Sequence, residues 1–205
     1  MTVRVKVCGI TRSEDAKYAI QHGVDAIGFV FWAHSARYID PVSAAQITAT
    51  IPSFVTSVGV YVDPDATWVE ETSRIAKLSL LQFHGSESPD FCNQFALPYI
   101  KAIRVKQDID LLQYAEYYRS ARGLLLDTYT AEMPGGTGHT FNWNLIPRSL
   151  PLPLILSGGL NPDNIIAAIR QTKPWAVDVS SGVEVTKGIK DEKKIYAFMQ
   201  GVKQS

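Results

Sequence analysis

Short runs of β-branched and other apolar residues alternate along this chain with longer segments of helical character. Alternation of this kind predicts a parallel sheet whose strands are joined by helices. The eight strand candidates are Val3 to Cys8, Ala26 to Phe31, Ser57 to Val62, Leu80 to His84, Tyr99 to Arg104, Gly123 to Asp127, Leu154 to Ser157 and Ala176 to Ser180. The eight helix candidates are Ser13 to His22, Pro41 to Ile51, Asp65 to Lys77, Ser88 to Phe95, Asp108 to Ser120, Asn142 to Pro147, Pro162 to Arg170 and Asp191 to Val202.

Eight such repeats in 205 residues predict a compact (β/α)8 TIM barrel, close to the lower size limit of that fold. An open doubly wound sheet is the alternative, but it would more often carry a GxGxxG turn after its first strand, and that turn is absent here. No linker rich in Pro, Gly and Ser interrupts the pattern. We therefore predict one α/β domain, a single TIM barrel over residues 1–205.

The first strand candidate combines an apolar face with a chemically active one, because successive residues of a strand point to opposite faces. The two faces are Val3, Val5 and Val7 on one side and Arg4, Lys6 and Cys8 on the other. Gly9 ends the run, Thr11 is placed to cap a helix, and an acidic first turn follows. An ordinary structural strand would show the same alternation, so this segment alone leaves both interpretations open.

Charge and composition exclude several classes of partner. Acidic and basic residues are equal in number, so the sequence gives no sign of the basic surface that binds nucleic acid or an anionic membrane. No stretch approaches the ~18 apolar residues of a membrane span, and the N-terminus lacks a signal-peptide pattern. The two cysteines, Cys8 and Cys92, lie outside any CxxC pair, which fits a reducing compartment. We expect a cytoplasmic protein.

Reactive side chains stand at the carboxyl ends of several strand candidates, where TIM barrels place their active sites. They are Cys8, Gln82, His84, Asp127, Asp178 and Ser180. Asp127 ends the apolar run Leu124 to Leu126, and a carboxyl group in such surroundings needs a partner or a raised pKa, so it is a candidate proton donor. We expect Gln82, His84 and Asp178 to contact the substrate, although His84 fits a hydrogen-bonded structural role equally well.

Two glycine-bearing segments follow the last two strands and predict a phosphate site. Glycine lets the backbone approach a ligand closely, and this is the place where many TIM barrels bind phosphate. The candidate ligands are Gly158 and Gly159 after strand seven and Ser180, Ser181 and Gly182 after strand eight. The longest irregular stretch, Thr128 to Thr140, follows strand six and is a candidate lid or binding loop. An ordinary flexible connection is the alternative for that stretch.

Neither a metal site nor a hydrolase motif is evident in the sequence. The four histidines, His22, His34, His84 and His139, are far apart and show no HExxH or Cys/His ligand spacing. The GxSxG form of a hydrolase nucleophile turn does not occur.

The motifs, taken together and in order, resemble those of the phosphoribosylanthranilate isomerase family of tryptophan biosynthesis. They span essentially the whole chain: Lys6 to Thr11, Gly28 to Phe31, Val58 to Val62, Leu81 to Gly85, Leu125 to Asp127, Gly135 to Gly138, Leu156 to Leu160 and Val177 to Glu184. Each motif alone is unspecific, whereas the ordered set is specific.

This resemblance implies a compact TIM barrel that performs an Amadori rearrangement of a phosphosugar-anthranilate substrate without a metal or organic cofactor. The residue matching Asp127 acts as general acid on the furanose oxygen, and the residue matching Cys8 removes the C2 proton. Arg37 binds the anthranilate carboxylate, for which its planar fork is well shaped. Ala36 replaces the proline usual in the family, so the loop that holds Arg37 is expected to be looser.

Several alternatives stay open at this point. Cys8 needs nearby positive charge to act as a thiolate, and Lys6 is either that charge or the ion-pair partner of Asp178. Another phosphosugar isomerase, including one that also accepts a histidine-pathway ribotide, and a catalytically silent barrel are the competing functions. The sequence does not distinguish a monomer from a homodimer.

Overall fold

Eight parallel strands form a closed barrel in the computed structural model, which describes residues 2–128 and 141–205. Each strand pairs with the next along the chain, and the last returns to pair with the first. The strands are β1 Arg4–Cys8, β2 Ala26–Val30, β3 Thr56–Tyr61, β4 Leu80–Phe83, β5 Tyr99–Val105, β6 Leu124–Thr128, β7 Leu154–Leu156 and β8 Ala176–Val179. The predicted fold class, a single-domain (β/α)8 barrel, is confirmed.

Seven α-helices accompany the strands in the described ranges: α1 Ser13–Gln21, α2 Pro41–Thr48, α3 Ala66–Ile75, α4 Pro89–Asn93, α5 Leu111–Tyr117, α6 Ile165–Thr172 and α7 Glu192–Lys203. Where the sequence predicts a helix over Asn142 to Pro147, the chain forms only a 3-10 turn, Trp143–Leu145. Ile146 is extended, with ψ of 122°, because the ring of the following Pro147 disfavours helical backbone at the residue before it. No helix in the described part of the chain is long and apolar enough to cross a membrane.

The candidate lid, from Thr128 to Thr140, lies outside the described residues except for Thr128, which ends β6. The Gly135 to Gly138 motif and His139 lie outside them as well.

The two faces of β1 have the environments that its alternation predicts. Val5 and Val7 point outward and are buried in the main apolar core between strands and helices. Lys6 and Cys8 point into the barrel, where Lys6 lies in register with Asp178 of β8. Below this polar layer, the barrel is filled by a separate apolar cluster: Ile100, Ala102, Leu125, Ile155 and Ala176.

A short antiparallel hairpin follows β8 and was not predicted from the sequence. Its strands are β9, Glu184–Thr186, and β10, Ile189–Lys190, and Gly188 turns the chain with a φ of +85°. The predicted cap of α1 is wrong: the Thr11 hydroxyl donates to the Gly188 carbonyl at 2.6 Å, and the N-cap position is Arg12, whose side chain makes no capping hydrogen bond. The hairpin therefore lies against the loop after β1.

A buried ion pair holds the loop after β4. Lys101 Nζ lies 2.8 Å from Glu87 Oε2, and both side chains are 2% exposed. Glu87 also accepts the backbone N–H groups of Asp63 and Gly85, and Lys101 donates to the Gly85 carbonyl at 2.7 Å. The pair thus ties β5 to the segment that leads out of β4.

Replacing Lys101 by Met is expected to lower the free energy of unfolding by about 3–5 kcal/mol, because the Glu87 carboxylate would stay buried without its cation. Urea denaturation measures this loss. The exposed residue Lys193 provides a control, since Lys193→Met should change stability by less than about 0.5 kcal/mol. The double variant Lys101→Met/Glu87→Gln should regain part of the stability. Equal stability of both single variants would contradict the interpretation.

Candidate active site

One pocket at the carboxyl ends of the strands brings the predicted site residues together. All of them line it except Gly182: the lining includes Cys8, Arg37, Gln82, His84, Asp127, Gly158, Gly159, Asp178, Ser180 and Ser181. Apolar side chains complete the wall, namely Val30, Trp32, Val60, Val62, Leu160 and Val179. The barrel therefore assembles residues that are up to 173 positions apart in the sequence, as its topology requires.

Cys8 ends β1 in a layer of charged groups. Lys6 donates to Asp178 Oδ1 at 2.8 Å, and the two side chains are only 7% and 6% exposed. The ion-pair alternative for Lys6 is thus realised, and Lys6 also interacts electrostatically with the Cys8 thiol. Burial alone would lower the pKa of Lys6, but Asp178 and Cys8 raise it above its ordinary value, so Lys6 stays charged.

The surroundings of Cys8 favour the protonated thiol over the thiolate. Burial raises the pKa of Cys8 above its ordinary value, while the charges of Lys6 and Lys190 act in the opposite direction. Gly28, opposite Cys8 on β2, makes room for this layer: a Cβ there would lie 2.9 Å from Cys8 Sγ and 3.1 Å from Lys6 Cε. Any larger residue at position 28 would displace the thiol.

Asp127 is held from two directions at the end of β6. Its Oδ1 accepts the Thr128 backbone N–H at 2.8 Å, and its Oδ2 lies 3.1 Å from His84 Nε2. Gln82 Nε2 lies 3.0 Å from His84 Nδ1, so the Gln82 amide N–H donates to that ring nitrogen. The proton of the imidazole ring is then on Nε2, from which it points to Asp127. Gln82 and His84 were predicted as substrate contacts; in the structure they line the pocket and orient the Asp127 carboxyl group.

Arg37 is fixed by a bidentate ion pair with Glu184. Its Nε and Nη2 lie 2.8 Å and 2.7 Å from the two carboxylate oxygens. The hydrogen bond to Glu184 raises the pKa of Arg37. The loop carries local hydrogen bonds as well, from Arg37 N to Ser35 Oγ and from Tyr38 N to Ser35 O. These contacts hold the arginine although position 36 is alanine.

The two glycine-bearing segments carry backbone N–H groups without an acceptor in the described part of the chain, and three of these residues, Gly158, Gly159 and Ser181, line the pocket. Among the described residues, no acceptor is found for the backbone N–H groups of Gly158, Gly159, Ser181 and Gly182. Gly158 and Gly159 have φ values of +85° and +65°, which other residues rarely adopt. We call these four N–H groups the anion site, because converging amides without acceptors bind phosphate and similar anions.

Neighbouring side chains fix the shape of the anion site. Asn164 Nδ2 donates to the Gly159 carbonyl at 2.9 Å, and Asn161 Nδ2 donates to it at 3.3 Å. The Ser180 hydroxyl donates to the Cys8 carbonyl at 3.0 Å and so ties the loop after β8 to the end of β1. Gly182 lies directly against the backbone of Leu160 and Asn161, so it joins the two loops.

Sequence reasoning missed several residues that shape this site. They are Gly28, Asn161, Asn164, Glu184 and Lys190. Gly28 and Glu184 belong to recognised motifs, and the two asparagines stand in the Asn161-Pro162-Asp163-Asn164 turn, but none of these patterns alone gives a role. The sequence shows the last two only as an acid and a lysine six residues apart, and their burial, which points to a role, is seen only in the structure.

The arrangement is suited to general acid and base catalysis on a phosphorylated anion. A carboxyl group, a thiol and a guanidinium group line the same pocket, and the anion site lies in the loops after β7 and β8, the strands between β6 and β1.

Comparison with known proteins identifies close relatives over the whole chain. The family model of N-(5′-phosphoribosyl)anthranilate (PRA) isomerase matches residues 5–201. The N-(5′-phosphoribosyl)anthranilate isomerase of Nitrosospira multiformis is 67% identical over 202 residues, covering 98% of this chain and 97% of its own.

Solved structures agree with this result. The phosphoribosyl anthranilate isomerase of Thermotoga maritima superposes with a TM-score of 0.90 at 41% identity, covering 99% of this chain and 100% of its own. A phosphoribosyl anthranilate isomerase in complex with reduced 1-(o-carboxyphenylamino)-1-deoxyribulose 5-phosphate superposes with a TM-score of 0.87 at 40% identity, over the same shares of both chains.

Replacing Gly182 by Ala is expected to weaken binding of inorganic phosphate about 10-fold or more, because the new Cβ would overlap the Leu160 carbonyl and force the two loops of the anion site apart. Isothermal titration calorimetry with phosphate measures the effect. Gly23→Ala is the matched control: Gly23 also has restricted backbone freedom, with a φ of +89°, but its Cβ would meet no atom within 4 Å. Equal phosphate affinities of the two variants would contradict the assignment.

Proposed function

The chain belongs to the N-(5′-phosphoribosyl)anthranilate isomerase family, and on this premise we propose which of its residues perform each step of the reaction. The enzyme is an aldose-ketose isomerase of tryptophan biosynthesis. It converts N-(5′-phosphoribosyl)anthranilate into 1-(2-carboxyphenylamino)-1-deoxyribulose 5-phosphate by an Amadori rearrangement. The observation that carries the residue assignment is the single pocket in which Cys8, Asp127 and the anion site meet.

The two ends of the substrate carry negative charges, and the pocket offers a partner for each. The anion site binds the phosphate group through backbone N–H groups, which need no countercharge to bind an anion. Arg37 binds the carboxylate of the aromatic ring, and the apolar wall of Val30, Val60 and Trp32 lies beside the ring. Held at both ends, the ribose lies across the pocket between Cys8 and Asp127.

Asp127 starts the reaction as the general acid. Its carboxyl group donates a proton to the ribose ring oxygen, the C1–O bond breaks, and the nitrogen lone pair forms a C1=N bond, so the product of this step is a protonated imine. His84 and Thr128 fix the two carboxyl oxygens, which keeps the acid aimed into the pocket. His84 and Gln82 are thus positioning residues in this proposal.

Cys8 completes the reaction as the general base. Its thiol first loses its proton to solvent. The thiolate then removes the C2 proton, the electrons of the C–H bond form a C1=C2 double bond, and the electrons of the C=N bond return to nitrogen. The resulting enolamine tautomerises to the ketone. The positive imine formed in the first step favours the thiolate beside it, and Lys6 and Lys190 act in the same direction against the effect of burial.

We further propose that residues 1–205 act as one catalytic domain in the cytoplasm. The pairing of β1 with β8 supports the single domain, because residues from both ends of the chain close the same barrel. The two cysteines, Cys8 and Cys92, are both free thiols, which supports a reducing compartment.

The variants Cys8→Ala and Asp127→Asn test the assignment of base and acid. Each should lower kcat by about 10²- to 10⁴-fold, the usual contribution of a positioned acid or base, without loss of the folded state. Turnover is followed by the loss of anthranilate fluorescence from freshly generated substrate, and folding by circular dichroism.

The control for these two variants is Cys92→Ala, which removes a buried thiol outside the pocket and should leave kcat unchanged. If folded Cys8→Ala or Asp127→Asn kept the turnover of the unmodified enzyme, the corresponding role would be wrong. No turnover by the unmodified, folded enzyme would overturn the reaction itself.

Titration of the thiol gives a test that does not depend on turnover. Because burial raises the pKa of Cys8, the far-ultraviolet thiolate absorbance of the free enzyme should appear only above about pH 8.5, the ordinary thiol midpoint. The difference from Cys8→Ser isolates this signal. Burial raises the pKa of Cys92 to about 12, so the Cys92 thiol does not contribute thiolate absorbance in the pH range of this titration. A midpoint near or below pH 7 would show that the free enzyme already holds a thiolate.

A further inference from the structure

Glu184 lies between two cations beside the substrate pocket. It accepts two hydrogen bonds from Arg37, and its Oε1 also lies 2.8 Å from Lys190 Nζ. The side chains of Glu184 and Lys190 are 5% and 0% exposed, so the contacts are shielded from water. Burial alone would raise the pKa of Glu184, but its hydrogen bond from Arg37 and the charge of Lys190 lower it, so the carboxylate stays ionised.

Glu184 fixes the orientation of the Arg37 guanidinium plane. A guanidinium group has one edge formed by Nε and one terminal nitrogen, and Glu184 occupies that edge. Nη1 has no partner among the described residues, and Arg37 lines the pocket. The aliphatic stem passes so closely over Gly9 that a Cβ there would overlap Arg37 Cδ. The aliphatic part and the guanidinium plane of Arg37 are thus both restrained, and its Nη1 group is left to bind a ligand.

Lys190 preserves the charge of this cluster. A carboxylate paired with Arg37 alone would cancel the positive charge that attracts a second anion. Burial lowers the pKa of Lys190 below its ordinary value, while the charge of Glu184 acts in the opposite direction. With Lys190 protonated beside Glu184, the Arg37–Glu184–Lys190 cluster has a net charge of one positive unit, and the neighbouring Lys6–Asp178 pair is neutral. One further negative charge balances the cluster. The aromatic carboxylate of the substrate supplies it, whereas a neutral carboxamide does not.

We propose that Glu184 is a positioning residue that presents Arg37 to the aromatic carboxylate, and that Lys190 keeps the cluster cationic so that the site selects a carboxylate over a neutral group. This inference rests on the proposed role of Arg37 in binding the substrate. Lys190 and Glu184 stand on the hairpin of β9 and β10, which thereby becomes part of the specificity of the site.

The test uses a pair of stable product analogues, reduced 1-(o-carboxyphenylamino)-1-deoxyribulose 5-phosphate and the same molecule with phenyl in place of carboxyphenyl. Glu184→Gln should weaken binding of the carboxylated analogue about 10- to 100-fold, the worth of well-placed hydrogen bonds to a charged group, and leave the other analogue unchanged. KM for the substrate should rise while kcat changes far less. Lys190→Met should reduce the preference for the carboxylated analogue in the same direction.

The sign of the Glu184→Gln effect separates positioning from simple charge. Removing a negative charge beside the site would by itself strengthen binding of a carboxylate, whereas loss of the fixed Arg37 weakens it. Glu87→Gln is the matched control, because Glu87 is equally buried and paired with a lysine but lies outside the pocket. It should lower stability without changing the ratio of the two affinities. Tighter binding or an unchanged ratio in Glu184→Gln would overturn the inference.

Arg37→Met distinguishes failure of the inference from failure of the proposed function. If Arg37→Met abolishes the preference for the carboxylated analogue and Glu184→Gln does not, the role of Arg37 stands and that of Glu184 is wrong. If Arg37→Met keeps the preference, the carboxylate is bound elsewhere and both assignments fall.

Discussion

The ion pair between Lys6 and Asp178 is the interaction on which the site depends. A barrel of eight strands has an interior just wide enough to be filled by side chains, so a lysine inside it needs a partner at hydrogen-bonding distance. The register of β1 and β8 provides that partner opposite Lys6, and Gly28 on β2 leaves the space. Cys8 stands one layer above, where its environment is set by these charges.

The groups proposed to touch the substrate are held by other residues, some of them near in the sequence and others far from it. His84 and Thr128 hold Asp127, Glu184 holds Arg37, and Asn164 holds the carbonyl next to the anion site. Preorganisation of this kind matters because donors that are already oriented need no rearrangement as charge develops in the transition state. These supporting residues therefore contribute to the proposed chemistry, as do the residues that line the pocket.

The sequence predicted the strands better than the contacts between them. Short runs of β-branched and other apolar residues locate all eight strands within one residue at each end, because strands buried on both faces of a parallel sheet read as nearly continuous apolar runs. The helix over Asn142 to Pro147 failed because a local effect, the ring of Pro147 on Ile146, outweighs helical spacing.

The roles of Gly28 and Glu184 could not be predicted, since they arise from the register between β1 and β2 and from a contact spanning 147 residues. Neither periodicity nor composition carries information of that kind. The resemblance to a known family pointed to the proposed acid and base but gave no role to the residues that hold them.

The pairing of β1 with β8 also determines when the barrel can close during protein synthesis. Lys6 and its partner are separated by 172 positions, as are Cys8 and the Ser180 hydroxyl that binds its carbonyl. A nascent chain that has not yet produced β8 carries a lysine with no counterion for the barrel interior, which opposes early closure. The candidate site is thus completed only when the ribosome has made β8 and the loop that follows it, and a shorter nascent chain has no assembled pocket in which to bind and release a labile intermediate.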